Sequence, residues 1–431
     1  MEIMGQMQSW KNQDRYLHWD DIRRRPAPTG FTHKDWWLGI KLARQGQYRQ
    51  ISLKDKKGGP FQLGQPDSLA ELLHKIDCGL GAVLGLPDAI GHPSVRDRYV
   101  INTLIQESIT SSQLEGAATT RAVAKEMLRS GRPPRDKGER MILNNYLTMQ
   151  HIRDLRDDDL TPALVFELHR RITTDTLDKP DAAGRLRQAS EDVRVEDGIE
   201  GTVFHRPPLA EEPPGRLEVM CDFANGKTPN FFIHPVVRAI TLHFWLAYDH
   251  PFVDGNGRTA RALFYWAMLR QKYDLFEFIS ISDILLRAPV RYAMAFLHTE
   301  TDDNDLTYFI LHQAQVIRDA VDALRDYLAR KKKELRETAE ALHGLKRLNH
   351  RQQALISHAL REPHTVYLIS AHQQSHGVTH QTARDDMFDL VGLGLLSANK
   401  EGRRYNFRAP ADLGGRISNL GPKAPSAGRS D

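Results

Sequence analysis

The chain has 431 residues, 40% hydrophobic and 26% charged, with a formal net charge of +4. There is room for several domains and a sizeable core, and no apolar run is long enough to span a bilayer. Only Cys78 and Cys221 are present, so a disulfide framework is not expected. The polar start, MEIMGQMQSWKNQDR, reads as no secretory leader, and the expected setting is a reducing cytoplasm with no membrane partner. The mild positive charge permits nucleic-acid contact without requiring it.

Residues 1–95 hold Trp10, Trp19, Trp36 and Trp37 among loop-like runs, RRRPAPTG and KDKKGGPFQLGQP. They read as a small mixed accessory module anchored by aromatics. Residues 96–330 are mainly helical by periodicity. Apolar residues recur at three- and four-residue steps in RYVINTLIQESITSSQLEGA, NNYLTMQHIRDL, TPALVFELHRRITTDTL, HPVVRAITLHFWLAYD and RTARALFYWAMLRQKY. The runs GRPPRDKG, DKPDAAG, RPPLAEEPPG and NGKTPN punctuate them. In EDVRVEDGIEGTVFHRPP, alternating Val193 and Val195, an Asp197-Gly198 turn and Val203-Phe204 predict a short hairpin.

Residues 307–343 predict a long helix, with 331–345 as a helical linker and Gly344 as its stop. Its stripe of Ile317, Val321, Leu324, Leu328, Leu335 and Leu342 either lies on the chain's own core or forms a homodimer seam. Residues 346–410 give helix, helix, helix and then a hairpin around Glu401-Gly402, the order of a winged helix-turn-helix. Thr379 is the expected N-cap of its third helix. The Gly/Pro/Ser-rich end, 411–431, is expected to be disordered.

Between two predicted helices lies His250-Pro-Phe-Val-Asp-Gly-Asn-Gly-Arg-Thr-Ala-Arg261. Gly255 and Gly257 allow backbone to approach a ligand, and the first turn of the second helix offers free N–H groups to an anion. Arg258 sits beside those amides, and Arg261 follows one turn on, a pair suited to phosphates. Asp254 suits Mg²⁺, which takes few protein oxygens, and His250 suits proton abstraction from a hydroxyl. A plain helix-loop-helix turn would explain any two of these features but not all of them together.

This run resembles the Fic family signature, HPFx[D/E]GNGRxxR, at every defined position. The resemblance extends over roughly 96–325, through AGRLR, the hairpin, IHPVVRAITLHFWLAY and DLTYFILHQ. It implies a mainly α fold: a helical Fic-type core with a short β-hairpin flap, beside the mixed N-terminal module and the C-terminal winged helix. It implies His250 as general base towards a Ser, Thr or Tyr hydroxyl of a target protein, and Asp254 as the Mg²⁺ ligand. Gly255, Asn256 and Gly257 would form an anion hole, Arg258 would hold phosphates, and Arg261 would grip the γ-phosphate. The implied reaction moves AMP from ATP to the target. Gly257 favours AMP transfer, because a kinase-like branch carries Lys there. Asp249 departs from the aliphatic residue many members carry before the histidine.

Ser111-Ser-Gln-Leu-Glu115-Gly116 resembles the family's inhibitory motif, [S/T]xxxE[G/N], on a helix expected to begin near Arg98 and end at Gly116. It implies that Glu115 restrains the enzyme by pairing with Arg261. Removal of AMP, other nucleotides and self-modification are the open variants. In the tail, His380, Gln381, Arg384 and Asp385 on the third helix and Lys400, Arg403, Arg404 and Arg408 on the wing are the candidate DNA contacts. Asp385 and Asp386 count against that use. The rival reading is a DNA-binding regulator whose Fic-like core senses nucleotide. His169 and His243 are expected to be core or surface histidines rather than ligands. The run Gly79-Leu-Gly81-Ala-Val-Leu-Gly85 is set aside as a dinucleotide site because no strand precedes it. No P-loop or paired zinc-ligand spacing occurs.

Overall fold

The computed structural model describes residues 16–84, 93–196, 203–345, 347–362, 365–401 and 404–420. They divide into two compact units, one within 1–85 and 97–324, the other within 86–96 and 325–431. The fold is mainly helical. Trp10, the Asp197-Gly198 turn, Gly402 and Arg403 lie outside the described residues.

In chain order the first unit runs α1 (Trp19–Ile22), α2 (His33–Gln45), β1 (Arg49–Lys54), β2 (Pro60–Leu63) and α3 (Asp67–Leu84). There follow α4 (Pro93–Gln113), whose residues before Asp97 belong to the second unit, α5 (Arg121–Ser130), α6 (Lys137–Asp154), α7 (Pro162–Thr173), β3 (Val195–Glu196) and β4 (Val203–His205). It continues with α8 (Pro213–Ala224), α9 (Pro235–Asp249), α10 (Asn256–Arg270), α11 (Ile281–Arg287), α12 (Pro289–Thr301) and α13 (Thr307–Gly344), whose residues beyond Leu324 belong to the second unit. No helix of the described residues is long and apolar enough to cross a membrane.

α9 and α10 form the centre of the first unit. Their sequences are apolar on nearly every face, and almost every residue from Val236 to Tyr248 and from Thr259 to Leu269 is buried. A helix with no polar face has to be surrounded; α6, α7 and α8 pack around the pair. The loop of interest is therefore the link between the two most buried helices of the unit.

The N-terminal segment is fastened to this core by polar side chains. The hydroxyls of Tyr16 and Tyr48 donate to Asp305 Oδ2 at 2.6 and 2.8 Å, and Arg44 Nη1 donates to the Tyr308 hydroxyl at 2.8 Å. Of the tryptophans expected as anchors, Trp36 is buried and Trp19 and Trp37 pack partly buried on the same cluster. The loop-like run 54–66 contains a strand: Pro60–Leu63 pairs with Arg49–Lys54 and seats Phe61 against Phe244 and Tyr248.

Two readings of punctuation need correction. RPPLAEEPPG is not all loop, because Pro213 and Pro214 start α8, where a missing N–H costs nothing. α4 begins earlier and ends sooner than periodicity suggested, at Pro93 and Gln113. Glu115 lies in the turn that follows, with Ala117 N–H bonded back to Ser112 O at 3.0 Å and Gly116 at φ +87°.

The second unit contains the end of α13, α14 (His350–Arg361), α15 (Ile369–His376), α16 (His380–Gly392), β5 (Ser397–Glu401), β6 (Arg404–Arg408) and α17 (Leu413–Leu420). Thr379 caps α16 as expected, and Tyr367 bridges to Phe407 beside the β5–β6 hairpin. The tail expected to be disordered from 411 is helical to Leu420. Leu413 and Ile417, spaced i and i+4, are buried in this unit's core, and Leu420 packs on it. Residues 421–431 lie outside the described residues. Ile317, Val321, Leu324, Leu328 and Leu342 of the α13 stripe are buried within the chain itself; the side chain of Leu335 is not described.

Candidate active site

α9 ends at Asp249, and His250 turns the chain in the left-handed region, φ 44° and ψ 55°, with its N–H bonded to Leu246 O at 3.0 Å. Its Nδ1 lies 3.1 Å from Ala247 O. A carbonyl only accepts, so Nδ1 carries the proton and Nε2 keeps its lone pair. The ring is half-buried. Burial pushes its pKa down to about 4, so the imidazole is neutral at physiological pH.

Two residues distant in sequence, Arg187 and His169, brace the loop. Arg187 donates from Nε to His250 O at 3.0 Å, its own N–H bonds Pro251 O at 2.9 Å, and its Nη2 reaches Pro208 O. His169 stacks on Phe252 with ring centres 3.7 Å apart. Its Nδ1 accepts from Gly184 N–H at 3.0 Å, which leaves Nε2–H to donate to Asp254 O at 2.8 Å. Inside the loop, the Asn256 amide closes on Phe252 with bonds of 3.0 and 2.8 Å. The Asn256 side chain is thus engaged within the loop, and its backbone is what faces the first turn of α10. Gly255 sits at φ +82°, and a Cβ there would lie 2.6 Å from Thr173 Cγ2. Glycine is required on both counts.

No side chain caps α10, so its first-turn N–H groups are open to an anion. Arg258 is 1% exposed, and its Nε and Nη2 make no hydrogen bond. Its nearest carboxylate, Asp254 Oδ1, stands 3.6 Å away, and Asp254 is itself half-exposed at the mouth. A buried guanidinium with unsatisfied donors fits an anionic ligand. A single exposed carboxylate beside it fits a Mg²⁺ that keeps phosphate and water oxygens.

Arg261, one turn along, is engaged through Nε and Nη2. Nε donates to Ser111 Oγ at 2.8 Å, and Nη2 donates to Ser111 O at 2.8 Å and to Glu115 Oε1 at 2.9 Å. The Glu115 carboxylate lies directly over Gly257, where a Cβ would be 2.2 Å from Oε1. Burial acts to raise the Glu115 pKa, but the charges of Arg261 and Arg258 outweigh it and hold the group below its usual value. The structure thus brings together Ser111, Glu115, Gly257, Arg258 and Arg261. Gly116 serves as the positive-φ residue of the turn.

Asp249 does not address His250. Its carboxylate takes Arg216 Nε at 2.8 Å and Trp245 Nε1 at 3.1 Å, and burial raises its pKa to about 6. β3 and β4 pair Val195 with His205 and Glu196 with Val203. His205 anchors β4 by bonds to Tyr248 O at 2.7 Å and Glu300 Oε2 at 2.8 Å. In the second unit Arg384, Lys400, Arg404 and Arg408 are exposed, whereas Asp386 is buried and paired with Arg351, Asn349 and His372. Sequence reasoning missed the brace residues Arg187 and Arg216 and the loop-holding use of His169. AGRLR ends on Arg187 itself, without indicating its bracing role, and nothing local pointed to the others.

The sequence profile of the Fic/DOC family matches residues 159–268. Over 263 residues the chain is 26% identical to protein adenylyltransferase Fic of Nematostella vectensis, covering 60% of this chain and 56% of that protein. It is 29% identical over 184 residues to protein adenylyltransferase fic-1 of Caenorhabditis elegans, covering 41% of this chain and 32% of that one. The matches therefore span about half of the first relative and a third of the second. A Fic family protein from Desulfovibrio desulfuricans G20 shares the fold, with a TM-score of 0.54 at 18% identity over 80% of this chain and 96% of that chain.

Proposed function

We propose, from the match of residues 159–268 to the Fic/DOC family, that the chain is a Fic-type protein adenylyltransferase restrained by its own Glu115. The observation that carries the reading is the buried, unsatisfied guanidinium of Arg258 beside an uncapped helix N-terminus, one loop away from an imidazole with a free Nε2. His250 Nε2 takes the proton of a target hydroxyl. The hydroxyl oxygen bonds to the α-phosphorus of ATP, the bond from that phosphorus to the bridging oxygen breaks, and pyrophosphate leaves. The first-turn amides of α10 and Arg258 neutralise the phosphates, and Asp254 would hold the Mg²⁺ that supplies further charge neutralisation. Because Nδ1–H is committed to Ala247 O, the base is aimed before substrate arrives.

Glu115 supplies the restraint. Its carboxylate covers Gly257 and occupies the guanidinium that a γ-phosphate would need. Breaking a wholly buried pair costs about 3–5 kcal/mol; with Arg261 buried and Glu115 24% exposed the cost here lies below that, still enough to set a nucleotide's pose. The test uses ATP labelled at the α- or γ-phosphate with Glu115→Gly protein in lysate. Transfer of α-label alone, dependent on Mg²⁺ and on His250, supports the reading; no labelling with any of the four nucleoside triphosphates overturns it.

A DNA-binding role for the second unit is the second reading. Helices α14 to α16 followed by the β5–β6 hairpin have the order of a winged helix. The burial of Asp386 removes one of the two acidic groups that stood against groove entry by α16. Arg384, Lys400 and Arg404 are then the contacts, and salt-dependent duplex binding is the check.

A further inference from the structure

At the opposite end of α12 from Tyr292, two imidazoles and a carboxylate converge outside the site described above. His18 and His298 stack with ring centres 4.0 Å apart. Asp20 Oδ2 stands 3.6 Å from His18 Nδ1 and 3.8 Å from His298 Nε2, and all three ligating atoms lie within 4.8 Å of one another. The other carboxylate oxygen, Oδ1, pairs with Arg23 Nη2 at 2.7 Å, which leaves Oδ2 facing the imidazoles. His298 Nε2 is buried and makes no hydrogen bond. His18 Nε2 faces Thr301 Oγ1 at 3.5 Å, so the His18 ring is oriented with Nδ1 towards the carboxylate. The bond an ion would displace is the long cap from Asp20 N–H to His18 Nδ1, 3.2 Å.

We propose that His18, Asp20 and His298 bind a divalent transition ion of the zinc type, clamping the segment before α2 to helix α12. Zinc takes imidazole nitrogen and carboxylate oxygen at ~2.0–2.2 Å in a tetrahedron, which sets ligands somewhat over 3 Å apart. Both separations to Asp20 need only a few tenths of an ångström of closure, and the His298 ring, stacked on His18 at 15°, has to turn out of parallel so that both in-plane lone pairs meet on the ion. Two imidazoles and one carboxylate exclude Mg²⁺ and Ca²⁺, which prefer oxygen ligands. The ion would tie down the helix whose Glu300 holds His205 of β4 and whose Tyr292 hydroxyl contacts His243.

The test uses the untagged, chelator-stripped full chain in a His74→Ala background, because His74 and Cys78 form a separate soft pair on α3. Zn²⁺ binding, the Co²⁺ visible spectrum and the thermal midpoint are compared with those of His298→Gln and Asp20→Asn, each verified as folded by circular dichroism. The expected result is one more tightly bound Zn²⁺ than in either variant, Co²⁺ ligand-field bands lost in both, and a Zn²⁺-dependent rise in midpoint only in the parent. Affinity should drop by at least the ~10–100-fold that loss of even a supporting partner causes. Equal stoichiometry and equal midpoints in all three proteins would overturn the proposal.

Discussion

The loop His250–Arg261 and the segment Ser111–Gly116, the end of α4 and the turn after it, meet at Arg261 but are built in opposite ways. The loop is local. Its base, glycines and arginines are delivered by adjoining helix ends, and Asn256 closes it on Phe252 four residues away. The segment acts wholly at a distance, since every contact it makes with Arg261 joins residues about 150 positions apart. The consequence is visible in the arginines. Arg258 keeps two buried nitrogens unsatisfied, while Nε and Nη2 of Arg261 are held by Ser111 and Glu115. One is poised for an anion, and the other already holds one.

The sharpest way to break this comparison is to remove the base. His250→Ala is expected to lower AMP transfer by on the order of 10²–10⁴-fold while leaving nucleotide binding to Glu115→Gly protein intact, read by label transfer and calorimetry. Next, Glu115→Gly is expected to raise transfer by roughly a hundredfold as that pairing is released. The same variant should unfold at a lower temperature, because Arg261 is left buried without its partner, and ATP should restore much of the loss. Equal activity of wild type and variant would remove the restraint from the account.

A finer probe is Gly257→Ala. Its methyl would sit 2.2 Å from Glu115 Oε1, so it should destabilise the wild type and do so less in the Glu115→Gly background. A double-mutant cycle on thermal unfolding should give a coupling of about 1–3 kcal/mol; zero coupling would mean the carboxylate does not rest there.

The smallest expected effect is on pH dependence. Burial depresses His169, His250 and His312 to about 4 and His243 to about 3. Between their ordinary value of 6.5 and those values, these groups take protons in the unfolded chain but not in the folded one, so acid favours unfolding across that window. Asp249, raised from 3.8 to about 6 by burial, and Asp305, also raised by burial, oppose this, while His18 and His298, lowered by burial, add to the four imidazoles. The unfolding midpoint should therefore fall as pH is lowered from about 6.5 towards 4, and a flat profile would contradict the burial of these imidazoles.

What could be read along the chain were features set by neighbours in sequence. The α9–loop–α10 unit, the long α13 helix with its stop at Gly344, the short hairpin at 195–205 and the helix order of the second unit all follow from periodicity and punctuation. So did the grouping of the loop's residues, because His250, Asp254, Arg258 and Arg261 fall within twelve consecutive positions. Errors fell where local composition was overruled by packing. Pro213-Pro214 looked like a break and starts a helix, and the polar tail looked disordered although Leu413 and Ile417 are buried.

The sequence by itself thus determined which groups gather at the loop, since backbone geometry places residues three or four apart on one face whatever surrounds them. Only the tertiary structure decided what each group faces: Asp249 towards Arg216 rather than His250, His169 beneath the loop rather than in a ligand set, Arg187 across the start of the motif, and Glu115 over Gly257. Those partners lie from about 30 to 150 residues apart along the chain. Nothing in a one-dimensional pattern records a distance that exists only once the core has closed.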